Sequence, residues 1–221
     1  MALLPEVQKH YGRLKLYING SWVASESDLI YEDVNPATGE VIAEFPSATD
    51  SDIEQAIQSA QVALASWREV PLRDKARYLF DLRGKFEEHF DMLCRVLVQD
   101  HGRTIGEARG TLRRCIENIE SACSALLLLT KGECVTDLAK GLDQALYWEP
   151  RGVFLIITPN NIPMHAWSSY VPYALASGCP VVVSPSKNDP VCMDAIFKVT
   201  EEVEGFPPGL VNLVYGGSNV N

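Results

Sequence analysis

Three apolar runs in the last third of the chain constrain its fold more than any other feature. They read "VFLII" at 153–157, "PVVVSP" at 180–185 and "LVNLVYGG" at 210–217. Between them lie two stretches of helical pattern, from about Pro163 to Ser177, closed by Gly178, and from about Pro190 to Glu204, followed by a Pro207-Pro208-Gly209 turn. Continuous apolar runs read as strands buried on both faces. Strands alternating with helices read as a parallel sheet with right-handed crossovers. The expected class is therefore α/β, with an incomplete, parallel, doubly wound sheet.

The first part of the chain reads differently. "LYINGSWV" at 16–23 places Asn19-Gly20 between short alternating runs, the signal for a two-residue type I′ hairpin. "NPATGE" at 35–40 separates "YEDV" from "VIAEF", and Ser51-x-x-Glu54 reads as a capping box opening a helix. Ile53, Ala56, Ile57, Ala60, Ala63, Leu64 and Trp67 fall on one face of that helix. Pro71 opens a second helix with Ala76, Leu79, Phe80, Phe86 and Phe90 inward, and the pattern runs on to a break at Gly102. A long helix is expected from Thr104 to about Thr130, ended by Lys131-Gly132. The expected organisation is a hairpin and helices over 1–140, packed on the βαβαβ segment of 141–221.

A net charge of −10 argues against a sequence-independent nucleic-acid surface, since neutralising phosphates needs clustered Lys and Arg. Six cysteines lie far apart without a C-x-x-C pair or a His at metal-ligand spacing, so no metal site and no disulfide framework is indicated. They read as reduced thiols. The longest apolar stretch outside the strands, "ALLLL" at 125–129, is too short to span a bilayer, and the first residues lack an apolar signal region. A cytoplasmic protein without membrane contact is expected.

In an open parallel sheet, ligands sit at the carboxyl ends of the strands. Those ends are Thr158 to Asn161, Ser184 to Lys187 and Tyr215 to Ser218. The phosphate-cradling patterns G-x-G-x-x-G and G-x-x-x-x-G-K-[ST] are absent. A nucleotide, if bound, is held in another way.

The segments "YINGSWV", "VNPATGEVIAEFPSAT", "EPRGVFLIITPNNIP", "ALASGCPVVVSPS" and "FPPGLVNLVYGG" stand in the order and spacing of the aldehyde dehydrogenase superfamily, which the chain resembles along nearly its whole length. "GRTIGEARGTLRRCIENIESACS" with "GLDQALYWEPRG" resembles the methylmalonate-semialdehyde, CoA-acylating branch. The resemblance implies a Rossmann-like sheet and NAD- or NADP-dependent oxidation of an aldehyde, with coenzyme A as an acyl acceptor in that branch, by an enzyme forming dimers or tetramers. A cysteine thiolate attacks the aldehyde, and hydride leaves the resulting adduct for the nicotinamide. The family motif Thr-Pro-aromatic-Asn-aromatic-Pro maps its oxyanion donor onto Asn161. A neutral donor of this kind is worth roughly 3–4 kcal/mol in the transition state.

By the same resemblance, Thr158, Pro159 and Asn160 fall at dinucleotide contacts, with Asn160 in place of the usual Phe or Trp. The second strand end normally reads Lys-Pro-Ser-Glu, where Lys and Glu reach the adenosine ribose. Here it reads Ser184-Pro185-Ser186-Lys187, followed by Asn188. A cation replacing a carboxylate suits a 2′-phosphate better than a 2′-hydroxyl, which points to NADP, unless the site has decayed. Gly217 completes the expected cofactor set.

Family members run to roughly twice this length, and their nucleophilic Cys and general-base Glu have no counterpart in these residues. Cys179 and Cys192 read as packing thiols, and His165 has no nucleophile placed beside it. Two readings follow: the amino-terminal half of an aldehyde dehydrogenase, inactive alone, or a non-catalytic binding and assembly module. In either, three parallel strands leave one sheet edge unpaired, so poor stability or a covering partner is expected.

Overall fold

The structure is a computed structural model, and it describes residues 10–216, without the side chains of 127 and 129. The chain opens with strands β1 (Leu16–Ile18) and β2 (Ser21–Val23), joined by Asn19 and Gly20 at φ 53° and 75°. Positive φ at both turn positions is the type I′ geometry expected from Asn-Gly. Tyr17 and Trp22, opposite each other across the hairpin, meet edge to face at 5.0 Å.

Strands β3 (Ile30–Val34) and β4 (Val41–Pro46) form a separate antiparallel pair whose register shifts between Asp33 and Val34. Such an irregularity re-aims side chains, and Asp33 is buried here. Helix α1 (Asp50–Trp67) follows. Its cap lies two residues before the expected one: Thr49 Oγ1 accepts from the Asp52 amide, and Asp52 accepts from the Thr49 amide. Ser51 and Glu54 are therefore inside the helix, because Asp at the third helical position closes the box as well as Glu does.

Helices α2 (Leu72–Glu88), α3 (Phe90–His101) and α4 (Ile105–Leu129) come next. In α2 the buried stripe is Leu79, Leu82 and Phe86, while Phe80, expected inward, is exposed. Phe80 follows Leu79 by about 100° around the helix, which turns it away from that stripe. Strands β5 (Glu133–Ala139) and β6 (Leu142–Leu146) form an exposed hairpin between α4 and the βαβαβ segment.

The βαβαβ unit is β7 (Phe154–Thr158), α5 (Pro163–Ala176), β8 (Val181–Pro185), α6 (Pro190–Glu201) and β9 (Val211–Leu213). Strands β7, β8 and β9 pair in parallel, as expected. Beyond them β1 pairs antiparallel with β9, so the sheet runs β2-β1-β9-β8-β7 and the hairpin extends it. Tyr17 packs on Phe197 of α6 at 5.5 Å, and buried Asn212 of β9 donates to the Val181 and Gly209 carbonyls and accepts from the Asn19 amide. These contacts lock the hairpin to the sheet.

All of β8 is buried, with α1 and α5 packed against it. β7 differs from the expectation of a strand buried on both faces. Ile156 and Thr158 are buried, but Phe154, Leu155 and Ile157 are 43%, 54% and 52% exposed. The cause is position: β7 ends the order of the sheet, so its apolar side chains meet cover only where α5 reaches them. Trp167 of α5 stacks on Phe86 of α2 at 5.5 Å, and Trp67 donates from Nε1 to the Leu175 carbonyl at 2.9 Å. None of the six cysteines is bridged, and Cys134 alone among them is exposed. Among the described residues no helix is long and apolar enough to cross a membrane.

Candidate functional site

Parallel pairing of β7 with β8 places Ile157 opposite Ser184 and Thr158 opposite Pro185, so both strands end at the same level. The Ser186 amide donates to the Thr158 carbonyl at 3.1 Å, tying the two ends together. The Ser186 hydroxyl accepts from the Asn188 amide at 3.2 Å, which folds Lys187 and Asn188 outward into solvent. Thr158 is buried, and among the described residues its Oγ1 has no hydrogen-bond partner. An orphaned hydroxyl at a strand's carboxyl end is a position where a ligand atom would satisfy a group that folding leaves unpaired.

The loop after β7 is held from a different part of the chain. Helix α3 ends at Gly102, whose φ of 76° is left-handed, and Thr104 then caps α4 in a box with Glu107. A Cβ on Gly102 would lie 2.8 Å from Pro36 Cγ, so the turn is both left-handed and pressed on its neighbour. This tight turn sends two side chains toward the loop. His101 Nε2 lies 2.6 Å from the Asn160 carbonyl, and the Arg103 guanidinium donates to the Asn161 carbonyl. A carbonyl can only accept, so the His101 proton facing it is on Nε2.

Beneath the loop, carboxylates converge. A cavity of about 360 Å³ is lined by Asp33, Asp100, Asp189, His101, Asn160 and Lys187, among others. Asp100 accepts from the Cys192 amide at 2.6 Å and so caps α6 from outside the helix, because Asp189, at the N-cap position, makes no side-chain cap bond. Burial raises the carboxyls of both Asp33 and Asp100; the neighbouring Asp33 charge raises Asp100 further, whereas Asp100 pulls Asp33 partly back down. Asp189 is pushed up to about 7, by burial first and by Asp33 second, with Arg103 opposing.

The structure thus brings Thr158, Pro159, Asn160, Ser184, Ser186, Lys187 and Asn188 to one end of the sheet, with Asn161 on the same loop. Gly217 lies outside the described residues. Residue-by-residue reading missed His101, Arg103 and the three aspartates. One signal was present: a glycine flanked by two basic residues between helices, in "HGRT". Elsewhere, Glu88, His89 and Glu202 gather their ligand-type atoms within 4.8 Å, but the Lys85 ammonium already contacts Glu88 at 2.9 Å and Glu202 at 3.4 Å.

Three parallel strands joined by helical crossovers, with polar loops gathered at their carboxyl ends, define a Rossmann-like α/β protein. The chain belongs to the aldehyde dehydrogenase family, which it matches over residues 22–221. It is 38% identical over 207 residues to malonate-semialdehyde dehydrogenase 1 of Geobacillus kaustophilus, an alignment that covers 94% of this chain and 42% of that enzyme. The crystal structure of methylmalonate-semialdehyde dehydrogenase from Oceanimonas doudoroffii superposes with a TM-score of 0.89 at 35% identity, again covering 94% and 42% of the two chains. Betaine aldehyde dehydrogenase from Staphylococcus aureus, in complex with NAD+, gives 0.87 at 29% identity, over 93% and 42%. The chain therefore spans less than half the length of these relatives.

Proposed function

We propose that the chain is the cofactor-side half of a semialdehyde dehydrogenase, in which an aldehyde is oxidised with transfer of hydride to NAD or NADP. The observation that carries the reading is Asn161's position on the loop after β7, beside the end of β8, in a chain of this family. In this reading the Asn161 side-chain amide donates to the oxyanion that forms when a thiolate adds to the aldehyde carbon. Thr158, Pro159, Asn160, Ser184, Ser186, Lys187, Asn188 and Gly217 hold the dinucleotide, with 141–221 as the cofactor part and 1–140 as the structure packed on it. The unpaired Thr158 hydroxyl and the exposed Lys187 ammonium fit such a ligand. The bound dinucleotide would supply the hydride acceptor; coenzyme A would take the acyl group, as the semialdehyde resemblance implies.

By the family resemblance none of the six cysteines stands in the nucleophile's context, and burial argues against five of them. Burial pushes the Cys94 and Cys123 thiols up to about 11 and Cys115 to about 12, the opposite of an activated thiolate. Cys179 and Cys192 are buried as packing groups. We read the assembly as a homo-oligomer, dimer or tetramer, supported by the exposed β5–β6 hairpin with Val135, Leu138, Leu142 and Leu146 open to solvent. Unbridged cysteines support a reducing, cytoplasmic setting.

A second reading, a non-catalytic binding module, is favoured by Asn160, Ser184 and Lys187 standing where the family pattern has an aromatic, a lysine and a glutamate. Calorimetric titration separates the two. Saturable binding of NADP or NAD supports the first, and NADP tighter than NAD assigns Lys187 to a 2′-phosphate. No binding of either supports the second.

A further inference from the structure

We infer that His101 and Arg103 are positioning residues that aim the Asn161 side chain. The inference rests on the oxyanion-donor reading of Asn161 and goes beyond it by naming what holds the donor in place. The Asn160 carbonyl belongs to the peptide unit before the Asn161 Cα, and the Asn161 carbonyl to the unit after it. His101 Nε2 is bound to the first at 2.6 Å, and the Arg103 guanidinium to the second. Fixing both peptide planes fixes φ and ψ of Asn161, and with them the direction of its Cα–Cβ bond.

The clamp has a rigid base. His101 is the last residue of α3, Gly102 is left-handed against Pro36, and Thr104 is locked in its box with Glu107. The two donors therefore leave a turn that is determined without them. Few other groups compete for them: His101 Nε2 also lies 4.0 Å from Asp189 Oδ1, and Arg103 reaches Thr111 Oγ1 at 3.5 Å, while Arg103 Nε and His101 Nδ1 are buried without partners among the described residues. Helix α5 starts right after the loop with no side-chain cap of its own, so nothing at its first turn duplicates the clamp. An oxyanion donor works only when held within a fraction of an ångström of the position of developing charge. A loop anchored at both flanking carbonyls meets that demand.

The test is amide hydrogen exchange on the 221-residue chain, read at the two hydrogen-bonded amides that bracket the loop, Ser186 on the Thr158 carbonyl and Ala166 on the Ile162 carbonyl, against Val181–Val183 of β8 and residues 167–176 of α5. His101→Phe and Arg103→Met are each expected to speed exchange at these two amides by about tenfold, while β8 and the body of α5 keep their protection. His101→Gln and Arg103→Lys each keep a side-chain nitrogen that can donate and are expected to restore most of the protection. Unchanged exchange at the two amides in both apolar variants would overturn the inference. Equal acceleration at the two amides and across α5, unrescued by the conservative variants, would also overturn it, because it would mark a merely structural role. Titration with NADP on the same samples keeps the two claims apart: a wild-type chain that binds no dinucleotide defeats the functional reading, while the exchange pattern still decides the clamp.

Discussion

Asp189 stands at the start of α6 with its carboxyl buried beside Asp33 and Asp100, and its pKa is raised to about 7 from an ordinary value of 3.8. In the unfolded chain this carboxyl ionises near pH 4; in the folded chain it holds its proton until about 7. Its contribution is therefore fully present below the unfolded value and is lost as pH rises through the folded one. The fold is expected to lose stability between about pH 4 and 7, and Asp189→Asn, which keeps the shape of the side chain without its charge, should flatten that slope. At neutral pH the variant should gain on the order of 2 kcal/mol, read by urea denaturation at several pH values. Wild type and variant falling in parallel would refute the assignment. Gly102 makes a second residue-scale prediction. Alanine there meets both a left-handed backbone, costing about 1–2 kcal/mol, and Pro36 Cγ at 2.8 Å, so Gly102→Ala should lower the melting temperature by several degrees.

At the scale of elements, the α1 cap separates what the sequence pattern suggested from what the chain does. Thr49→Ala should cost about 1 kcal/mol, because it strips an acceptor from the Asp52 amide, whereas Ser51→Ala inside the helix should be close to neutral. Chemical denaturation of the two variants side by side reads the difference. The hairpin at Asn19-Gly20, the helix breaks at Gly102 and Gly178 and the βαβαβ order were legible, because turn chemistry and periodicity act over a few residues. Phe80 and β7 were not, for a shared reason. Which face of a helix or strand is covered depends on its neighbours, and a run such as "VFLII" reads the same at a sheet's centre and at its edge. The candidate site divides in the same way. The placement of Asn161 after β7 and of Ser184 to Asn188 beside it was legible through an ordered motif, whereas His101 and Arg103 reach the loop, and Asp33 and Asp100 the cavity, from elements distant in sequence, with only "HGRT" to mark them.

For the whole molecule, the exposed Phe154, Leu155 and Ile157 of β7 and the chain's 42% coverage of its relatives bear on one reading. In the proposed reading, a cofactor-side half without the family's nucleophile forms no NADH or NADPH from any aldehyde on its own. Aldehyde-dependent reduction of either dinucleotide, followed by absorbance, would show that a nucleophile is present after all. The most direct test of the central claim, that the loops after β7 and β8 form a dinucleotide site, is calorimetric titration of wild type and Lys187→Glu with NADP and NAD. The account predicts saturable binding by wild type with NADP preferred, and a preference shifted toward NAD by about tenfold or more in the variant, a change of roughly 1.4 kcal/mol. Absence of binding by wild type, or a preference that Lys187→Glu leaves unmoved, would contradict it.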